Sequence, residues 1–269
     1  MKIYVGTCGN KVGLKRYLKL FDTLEINATF YNFPSENTLK NWEKAFKGEK
    51  AFRLAIKAFQ GLTHPLSSPT WRRAKLSPEE REKFRGRVGC LRLNPVTEAL
   101  LKRTLEMATR LSAYFLLFQL PRKCENEKEN FTRFFSRLRE FSGGTKGLHY
   151  GLEIRWPEGD FLEKMYEEFG IVPVFDPFIF PEYLDRFKDL PLLYLRLHGT
   201  LERGRLNYNK RYGEDELRAL GRRLSGLRAR EILVLFNNIY MHEDAIRFKK
   251  HLPIPSAPLL TEEERDPSS

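Results

Sequence analysis

The sequence predicts an α/β protein built as a single (β/α)8 TIM-type barrel, and three observations predict it. Eight short runs of strand-like composition alternate with longer amphipathic segments, which is the pattern of repeated βα units and a parallel sheet. The chain has 269 residues, which is close to the roughly 250 of a typical barrel of this class. Its 41% hydrophobic and 13% aromatic residues are enough for one large core. A doubly wound open sheet is the main alternative.

The strands and helices follow from these patterns in order along the chain. The predicted strands are residues 2–6, 23–27, 52–57, 114–119, 149–154, 171–175, 192–197 and 230–236. The predicted helices include residues 37–47, 95–111, 127–141, 159–169, 181–188, 213–227 and 241–250. Residues 58–94 are too long and too rich in Pro, Ser and Arg for an ordinary βα connection, so we expect a long insertion after strand 3 that serves as a lid or binding loop. The barrel domain should cover residues 1–252, with a C-terminal tail at 253–269.

The charge of the chain indicates the kind of partner to expect. The net charge is +12 and the pI is near 9.6, which favours nucleic acid or another polyanion as a partner. A charged surface of the kind that heat-adapted proteins carry is the alternative. The sequence has no apolar run long enough for a membrane helix, and MKIYVG does not resemble a secretory signal. We therefore expect a cytoplasmic protein with no membrane partner.

Sequence motifs argue against several cofactors. Neither GxxxxGK[ST] nor GxGxxG follows a predicted strand, so no nucleotide cofactor is indicated, and HExxH is missing. The three cysteines, Cys8, Cys90 and Cys124, are widely spaced and form no CxxC. We expect buried or incidental thiols, with neither a disulfide framework nor a structural zinc site.

Polar residues recur within the predicted strands. Successive side chains of a strand point to opposite faces, and in RLAIK the apolar Leu54 and Ile56 suit the helix layer, which turns Arg53 and Lys57 inward. The same alternation places further polar residues in the barrel interior: Glu25, Asn27, Gln119, Glu153, Arg155, Asp176, Tyr194, Arg196, His198 and either Asn237 or Asn238. Most of them fall at the C-terminal end of a strand, where this fold forms its active sites. We expect a functional pocket there. The alternative is a structural network with buried pairs such as Glu153 with Arg196 or Glu25 with Lys57.

Four of these residues are candidate metal ligands. Glu25, Glu153, Asp176 and His198 could hold one hard divalent cation, Mg²⁺ or Mn²⁺. A carboxylate network without metal is the alternative, because Lys57, Arg155 and Arg196 would balance the same negative charge. His64, in a Thr-His-Pro turn, is predicted to face the barrel mouth.

Two segments combine basic and aromatic residues. Residues 71–87 carry Trp71 and Phe84 among seven basic side chains. Residues 202–212 carry Arg203, Arg205, Lys210 and Arg211 beside Tyr208 and Tyr212. Cations neutralise phosphates and aromatic faces stack on bases, so both segments suit a single-stranded or distorted nucleic acid. Ordinary solvated loops are the alternative.

Six motifs resemble those of the YecE-like family, also called domain of unknown function 72, in its archaeal or thermophilic branch. They are EINATFYNFPSENTLKNW at 25–42, AIKA at 55–58 followed by THP, FQLPRK at 118–123, GLEIRW at 151–156, YLRLHG at 194–199 and LFNNIYMHEDAIRF at 235–248. The resemblance implies a TIM-type barrel related to the sugar-isomerase and endonuclease-IV-like barrels, without an established reaction. It also implies a set of characteristic polar residues: Glu25, Asn27, Lys57, His64, Gln119, Glu153, Arg155, Asp176, Arg196, His198 and Asn237. The chain has too few histidines in these positions, His198 and His64, for the zinc cluster of the endonuclease-IV-like enzymes.

The leading hypothesis is a nuclease-like hydrolase that handles phosphodiesters of nucleic acid with one divalent ion or none. Lys57, Arg155 and Arg196 would stabilise the transition-state charge, and His198 or Glu153 would be the general acid or base. Substrate contacts are predicted for Asn27, His64, Gln119, Arg203, Arg205, Tyr208, Arg211 and Asn237. The alternatives are an isomerase, epimerase or lyase of a small phosphorylated or carboxylated metabolite, and a non-catalytic nucleic-acid-binding barrel. We also expect Lys57, Arg196 and His198 to form one unit that is open to solvent and unnecessary for stability.

Overall fold

The computed structural model describes residues 1–143, 147–202 and 205–252. Eight parallel strands form a closed barrel in the order β1, β10, β7, β6, β5, β4, β3, β2. They are β1 (Lys2–Cys8), β2 (Thr23–Ile26), β3 (Arg53–Lys57), β4 (Phe115–Leu120), β5 (His149–Ile154), β6 (Val172–Phe175), β7 (Leu192–Leu197) and β10 (Glu231–Phe236). Each lies within two residues of a predicted strand. The predicted fold class is therefore confirmed.

A two-stranded antiparallel hairpin follows β7 and was not predicted. Its strands are β8 (Thr200–Glu202) and β9 (Arg205–Asn207), which pair in the register Thr200↔Asn207. Arg203, one of the predicted phosphate contacts, lies outside the described residues, as does the predicted tail at 253–269.

The helices include all seven that the sequence predicts. They are α1 (Leu14–Leu18), α2 (Ala28–Tyr31), α3 (Glu36–Phe46), α4 (Gln60–Thr63), α5 (Pro78–Phe84), α6 (Pro95–Arg110), α7 (Lys128–Ser142), α8 (Gly159–Phe169), α9 (Glu182–Arg186), α10 (Glu214–Ser225) and α11 (Met241–Lys250). The start of α6 shows why Asn-Pro is a good signal: Asn94 Oδ1 accepts hydrogen bonds from the Val96 and Thr97 amides, and Pro95 needs no partner for its nitrogen. Within the described ranges, no helix has the length and apolar character to cross a membrane.

The chain divides into two compact units, and each is described by itself. The first unit comprises residues 1–25, 47–53 and the described residues from 175 onward. The second unit comprises residues 26–46 and 54–174.

The centre of the first unit is the β1–β10–β7 part of the sheet, where Val5, Val234 and Leu195 are aligned in register and fully buried. At the beginnings of these strands, Arg53 Nη2 donates to Glu231 Oε1 at 2.8 Å, and the Tyr4 hydroxyl donates to the same oxygen at 3.0 Å. In this fold the N-terminal end of the strands serves stability. We therefore assign this cluster a structural role.

In the second unit, β4 and β5 pack side by side and leave no room for a side chain at one position. A Cβ on Gly151 would lie 2.3 Å from Cζ of Phe115 and 2.8 Å from a methyl of Val174. The fully buried Phe115 ring thus fills the volume that residue 151 leaves empty.

The insertion between β3 and α6 has a small aromatic core of its own. Trp71 and Phe84 are buried and pack against each other at 5.8 Å between ring centroids. Both also contact Phe59, and Trp71 Nε1 donates to the Pro65 carbonyl at 3.0 Å. The prediction that these two rings stack on bases is therefore wrong, because burying them is what folds the insertion.

Cys90 and Cys124 form a disulfide, contrary to the sequence prediction, with their Cα atoms 5.2 Å apart. The two residues are separated by 34 positions along the chain. They meet because the end of the insertion folds back onto the turn after β4, a tertiary contact that cysteine spacing does not reveal. Cys8 takes no part in the disulfide and its thiol is buried, as predicted.

Candidate functional site

Five polar side chains of the first unit form a connected group, which we call the buried polar chain: Glu25, Asp176, Tyr194, Arg196 and His198. Arg196 Nη2 donates to Glu25 Oε1 at 2.8 Å, and the Tyr194 hydroxyl donates to Glu25 Oε2 at 2.7 Å. Tyr194 and Arg196 point to the same face of the sheet because they are two residues apart on β7.

His198 occupies the Asp176 end of this chain. Its backbone N–H donates to Asp176 Oδ2 at 2.7 Å, and its Nδ1 lies 3.2 Å from the same oxygen. Its Nε2 lies 3.3 Å from Arg196 Nη1, which can only donate. We therefore assign the ring proton to Nδ1 and the acceptor role to Nε2, so the surrounding groups favour one neutral tautomer.

The buried polar chain is closed to solvent. The exposed fractions of Arg196 and His198 are 1% and 0%, and Glu25, Asp176 and Tyr194 are also buried. Burial, together with the Glu25 charge, raises the pKa of Tyr194 well above its ordinary value. The prediction that Arg196 and His198 are open to solvent is therefore wrong. The Tyr208 ring meets the His198 imidazole edge-to-face, with 6.1 Å between the ring centroids, and covers part of it.

The second unit holds a different polar group, which we call the cation pocket: Lys57, His64, Gln119, Glu153 and Arg155. Lys57, at the end of β3, donates from Nζ to Gln119 Oε1 at 3.1 Å. The same ammonium lies 4.0 Å above the centre of the Phe30 ring. Gln119 and Glu153 are register partners on β4 and β5, which brings Glu153 and Arg155 into the same group.

His64 is the neutral member of the cation pocket. Its ring packs edge-on against Phe30 at 4.9 Å, and its Nδ1 lies 2.9 Å from Thr63 Oγ1. Burial, then the charges of Lys57 and Arg155, lower the pKa of His64 well below 6.5. The imidazole is therefore uncharged at neutral pH, and its pKa responds to the charges of both cations.

Arg155 is the most accessible member of this pocket. Its Nη2 lies 3.1 Å from Glu153 Oε1, and its side chain is 21% exposed whereas that of Glu153 is 4% exposed. The pocket thus contains two cations, Lys57 and Arg155, and one carboxylate.

The segment at residues 89–91, which pairs with the residues just before His64, has an unusual backbone conformation. Residues 61–63 pair with residues 89–91 through backbone hydrogen bonds of 2.9–3.2 Å. Gly89 has a φ of +93°, and a Cβ there would lie 2.2 Å from the Pro65 nitrogen. Cys90 and Leu91 also have positive φ values, 51° and 53°, which are strained for residues with a Cβ. Cys90, the middle residue of this strained segment, is covalently linked to Cys124.

The four predicted metal ligands do not form one donor set. Glu25 accepts from Arg196 and Tyr194, Asp176 accepts from the Phe178 and His198 amides, and Glu153 pairs with Arg155. The described parts of the chain contain no group of three or more His, Cys, Asp or Glu residues that could hold a metal ion. The residues present therefore do not fit the predicted ion, and we derive no chemical step through it.

The remaining predicted contacts have varied environments. Asn27 and Asn237 are half-buried, and the structure gives Asn238 the clearer role: its Nδ2 donates to Asp244 Oδ2 and to the Lys210 carbonyl, each at 2.7 Å. Tyr208, Arg205 and Arg211 are exposed. Tyr212, by contrast, is buried, and its hydroxyl accepts from the Gly199 amide at 2.8 Å.

Sequence reasoning missed several residues near these groups. Phe30, the floor of the cation pocket, stands in no strand and carries no polar signal. Ile239 and Tyr240 are large exposed side chains just before α11, and the unusual Asn-Ile-Tyr segment after a strand was the signal that could have identified them.

Solved structures match almost the whole chain. A DUF72 family protein from Enterococcus faecalis shares 19% identity, with 97% of this chain and 98% of that chain covered and a TM-score of 0.63. A xylose isomerase domain protein from Planctomyces limnophilus shares 15% identity over 93% and 94% of the two chains, with a TM-score of 0.57. For endonuclease IV from Thermus thermophilus the values are 13%, 93% and 97%, with a TM-score of 0.52. At these identities the likeness shows the fold alone.

No protein in the comparison with curated sequences matches the chain. A family model does match, over residues 1–254, and so includes every strand of the barrel and both polar groups. The chain therefore belongs to the family described as "Protein of unknown function DUF72".

Proposed function

We propose that this chain is a phosphodiester-handling enzyme that acts on nucleic acid, and that its cation pocket binds the phosphate. One observation carries the proposal: the positive charges of Lys57 and Arg155 both lower the pKa of the buried, neutral imidazole of His64. Two positive charges beside one carboxylate give a site at which a phosphate would be stabilised. The net charge of +12 further attracts a polyanionic substrate.

The roles follow from the donors that each side chain offers. Phosphoryl transfer spreads negative charge over the equatorial oxygens, so catalysis depends on positioning and on cations. The ammonium of Lys57 donates to Gln119 and supplies a compact positive charge, and the planar fork of Arg155 suits two phosphate oxygens. Glu153, beside Arg155, accepts the proton of the attacking water as the water oxygen bonds to phosphorus. The bond from phosphorus to the leaving oxygen breaks in the same step, and that oxygen takes a proton from solvent. Because Arg196 and His198 are fully buried, we assign them a positioning role in the first unit.

Phosphate binding can be tested without knowing the substrate. We expect inorganic phosphate to raise the pKa of His64, because an added anion opposes the effect of Lys57 and Arg155. NMR titration of the imidazole with and without phosphate measures this change. In Lys57→Met the phosphate effect should be lost. A His64 pKa that ignores phosphate in the parent protein would contradict the proposed site.

Turnover requires a second experiment, with fluorescein-labelled single-stranded DNA, single-stranded RNA and duplexes that contain an abasic site. We expect cleavage by the parent protein and a loss of at least 100-fold in Lys57→Met and Arg155→Met, given that a lost electrostatic donor reduces kcat by about 10²–10³. Arg122→Met is the matched control, since that side chain is 72% exposed and pairs with Glu125 in the same unit. Equal cleavage by all variants would identify a contaminant and refute the assignment.

The burial of the pocket favours a second function. The chain would then be an isomerase, epimerase or lyase that acts on a small phosphorylated or carboxylated metabolite. Lys57 is only 9% exposed and Glu153 only 3% exposed, which suits a small anion better than a polymer backbone. Here Lys57 would shuttle a proton and Glu153 would be the base. Thermal-shift screening of sugar phosphates and carboxylates against oligonucleotides separates the two functions, and deuterium uptake from solvent into a bound sugar phosphate would support this one.

A further inference from the structure

Exposed apolar side chains are concentrated on the first unit, around the β8–β9 hairpin and the loop after β10. Among the described residues, seven large hydrophobic side chains are exposed, and four of them lie here. They are Leu201, Tyr208, Ile239 and Tyr240, with exposed fractions of 52%, 40%, 51% and 38%. Single exposed apolar residues need no explanation, but a group of them indicates a contact surface.

The two segments that carry these side chains are tied together. The Ile239 amide donates to the Tyr208 carbonyl at 2.9 Å. Next to it, the buried Asn238 donates to the Lys210 carbonyl and to Asp244, both at 2.7 Å. The side chains of Tyr208 and Ile239 therefore project from backbone segments that are hydrogen-bonded to each other.

Cations alternate with the apolar side chains on this surface. The guanidinium of Arg211 lies 5.8 Å from the centre of the Tyr240 ring, and Lys11 Nζ donates to the Ile239 carbonyl. Arg205 is exposed on β9. The acidic residue of the hairpin, Glu202, accepts hydrogen bonds from Thr200 and Asn207.

A concave feature adjoins the same hairpin. A cavity of about 330 Å³ is lined in part by Leu201, Lys210 and Tyr212. This volume is within the roughly 300–1,000 Å³ of small-molecule sites. Tyr208 has a second contact on its inner side, the imidazole of His198. A base stacked on the outer face of Tyr208 would thus be one ring away from the buried polar chain.

We infer that the first unit binds single-stranded nucleic acid through a set of side chains that we call the hairpin surface. Its members are Lys11, Arg205, Tyr208, Arg211, Ile239 and Tyr240. The inference rests on the nucleic-acid class of the proposed function and adds the strandedness and the place of contact. Tyr208 and Tyr240 offer aromatic faces to unpaired bases, which a duplex does not expose, and the three cations meet phosphates. The alternation of charge with single apolar side chains suits a nucleic acid strand better than a membrane surface, where a continuous apolar face is needed.

The test is fluorescence anisotropy with a labelled 20-nucleotide oligothymidine and with a duplex of the same length. The parent protein should bind the single strand more tightly at low salt. Tyr208→Ala with Tyr240→Ala should weaken single-strand binding at least tenfold, because both base-stacking contacts are lost. Arg205→Gln with Arg211→Gln should reduce the log–log salt slope by about 0.7 for each lost phosphate contact.

The chain offers a matched control for one cation and one ring. Arg211→Gln/Tyr240→Ala removes a pair at 5.8 Å, and Lys102→Gln/Phe141→Ala removes a similar pair at 5.0 Å from the second unit. Only the former should weaken binding. Equal effects of the two, no single-strand binding by the parent protein, or a preference for anionic lipid vesicles that the hairpin variants abolish would each overturn the inference. The response of His64 to phosphate, which tests the cation pocket, is a separate measurement and would stand or fall independently.

Discussion

The buried polar chain and the cation pocket have the same origin and different properties. Both arise from polar residues near the C-terminal ends of barrel strands. In the first, Arg196 is enclosed with Glu25 and no member is more than 3% exposed. In the second, Lys57 and Arg155 lie with one carboxylate around a neutral His64, and Arg155 reaches solvent. Position at a strand end therefore does not by itself identify a working group; charge balance and exposure separate the two.

The largest expected effect is on stability, in the buried polar chain. Arg196→Met leaves the Glu25 carboxylate buried without its cation, and we expect the free energy of unfolding to fall by about 3–5 kcal/mol. Chemical denaturation measures it. Arg53→Met is the matched control, because Arg53 and Glu231 pair at the same 2.8 Å but are 19% and 21% exposed. If both substitutions destabilise the protein equally, the contrast between the two regions loses its basis.

In the second unit, which holds the cation pocket, we expect the Cys90–Cys124 disulfide to contribute to the free energy of unfolding. Cys90→Ser with Cys124→Ser opens a loop of 34 residues and should lower the free energy of unfolding by about 2–4 kcal/mol, since the disulfide restricts the unfolded chain. The parent protein denatured in the presence of reductant should show the same loss. Unchanged stability in both experiments would mean that the hydrogen bonds between residues 61–63 and 89–91 hold the segment without help.

A pH dependence should distinguish His64. The pKa of His64 is lowered in the folded protein, so between that pKa and about 6.5 the unfolded chain binds more protons. Its contribution to stability is complete above pH 6.5 and is lost as the pH falls towards the folded pKa, by up to about 1.4 kcal/mol per pH unit. His64→Gln should flatten this part of the stability profile relative to the parent protein. Identical slopes below pH 6.5 would show that His64 is charged in the folded state.

The smallest expected effect on stability is that of Lys57→Met. The substitution removes the hydrogen bond to Gln119, which is a contribution of about 1 kcal/mol, while the apolar Met side chain can pack against Phe30. We expect a loss of about 1 kcal/mol or less, together with loss of the phosphate response. A fall as large as that of Arg196→Met would make the cation pocket a structural network as well.

The sequence was sufficient for the barrel, because alternation and segment length are local properties. In β7 alternation alone placed Tyr194 and Arg196 on one face, and both contact Glu25. The same reasoning could not tell that His198 would be enclosed, because Tyr208, whose ring packs against it, lies ten positions further along, just after the β8–β9 hairpin.

The other errors have a common cause, which is that they concern contacts between distant residues. Trp71 and Phe84 look like a stacking platform in a basic segment, and only the folded insertion shows that each is the other's packing partner. Cys90 and Cys124 carry no spacing motif and meet through the same folding back.

The empty position at Gly151 has a consequence for the inheritance of this barrel. Since the Phe115 ring occupies that space, a methyl group at 151 cannot be accepted while the phenylalanine remains. A lineage could exchange the two, with a larger residue on β5 and a smaller one on β4, only if both changes were made together or if Phe115 shrank first. The order of the two substitutions is therefore constrained. A larger residue at 151 requires that Phe115, on the neighbouring strand, be replaced by a smaller residue first or at the same time.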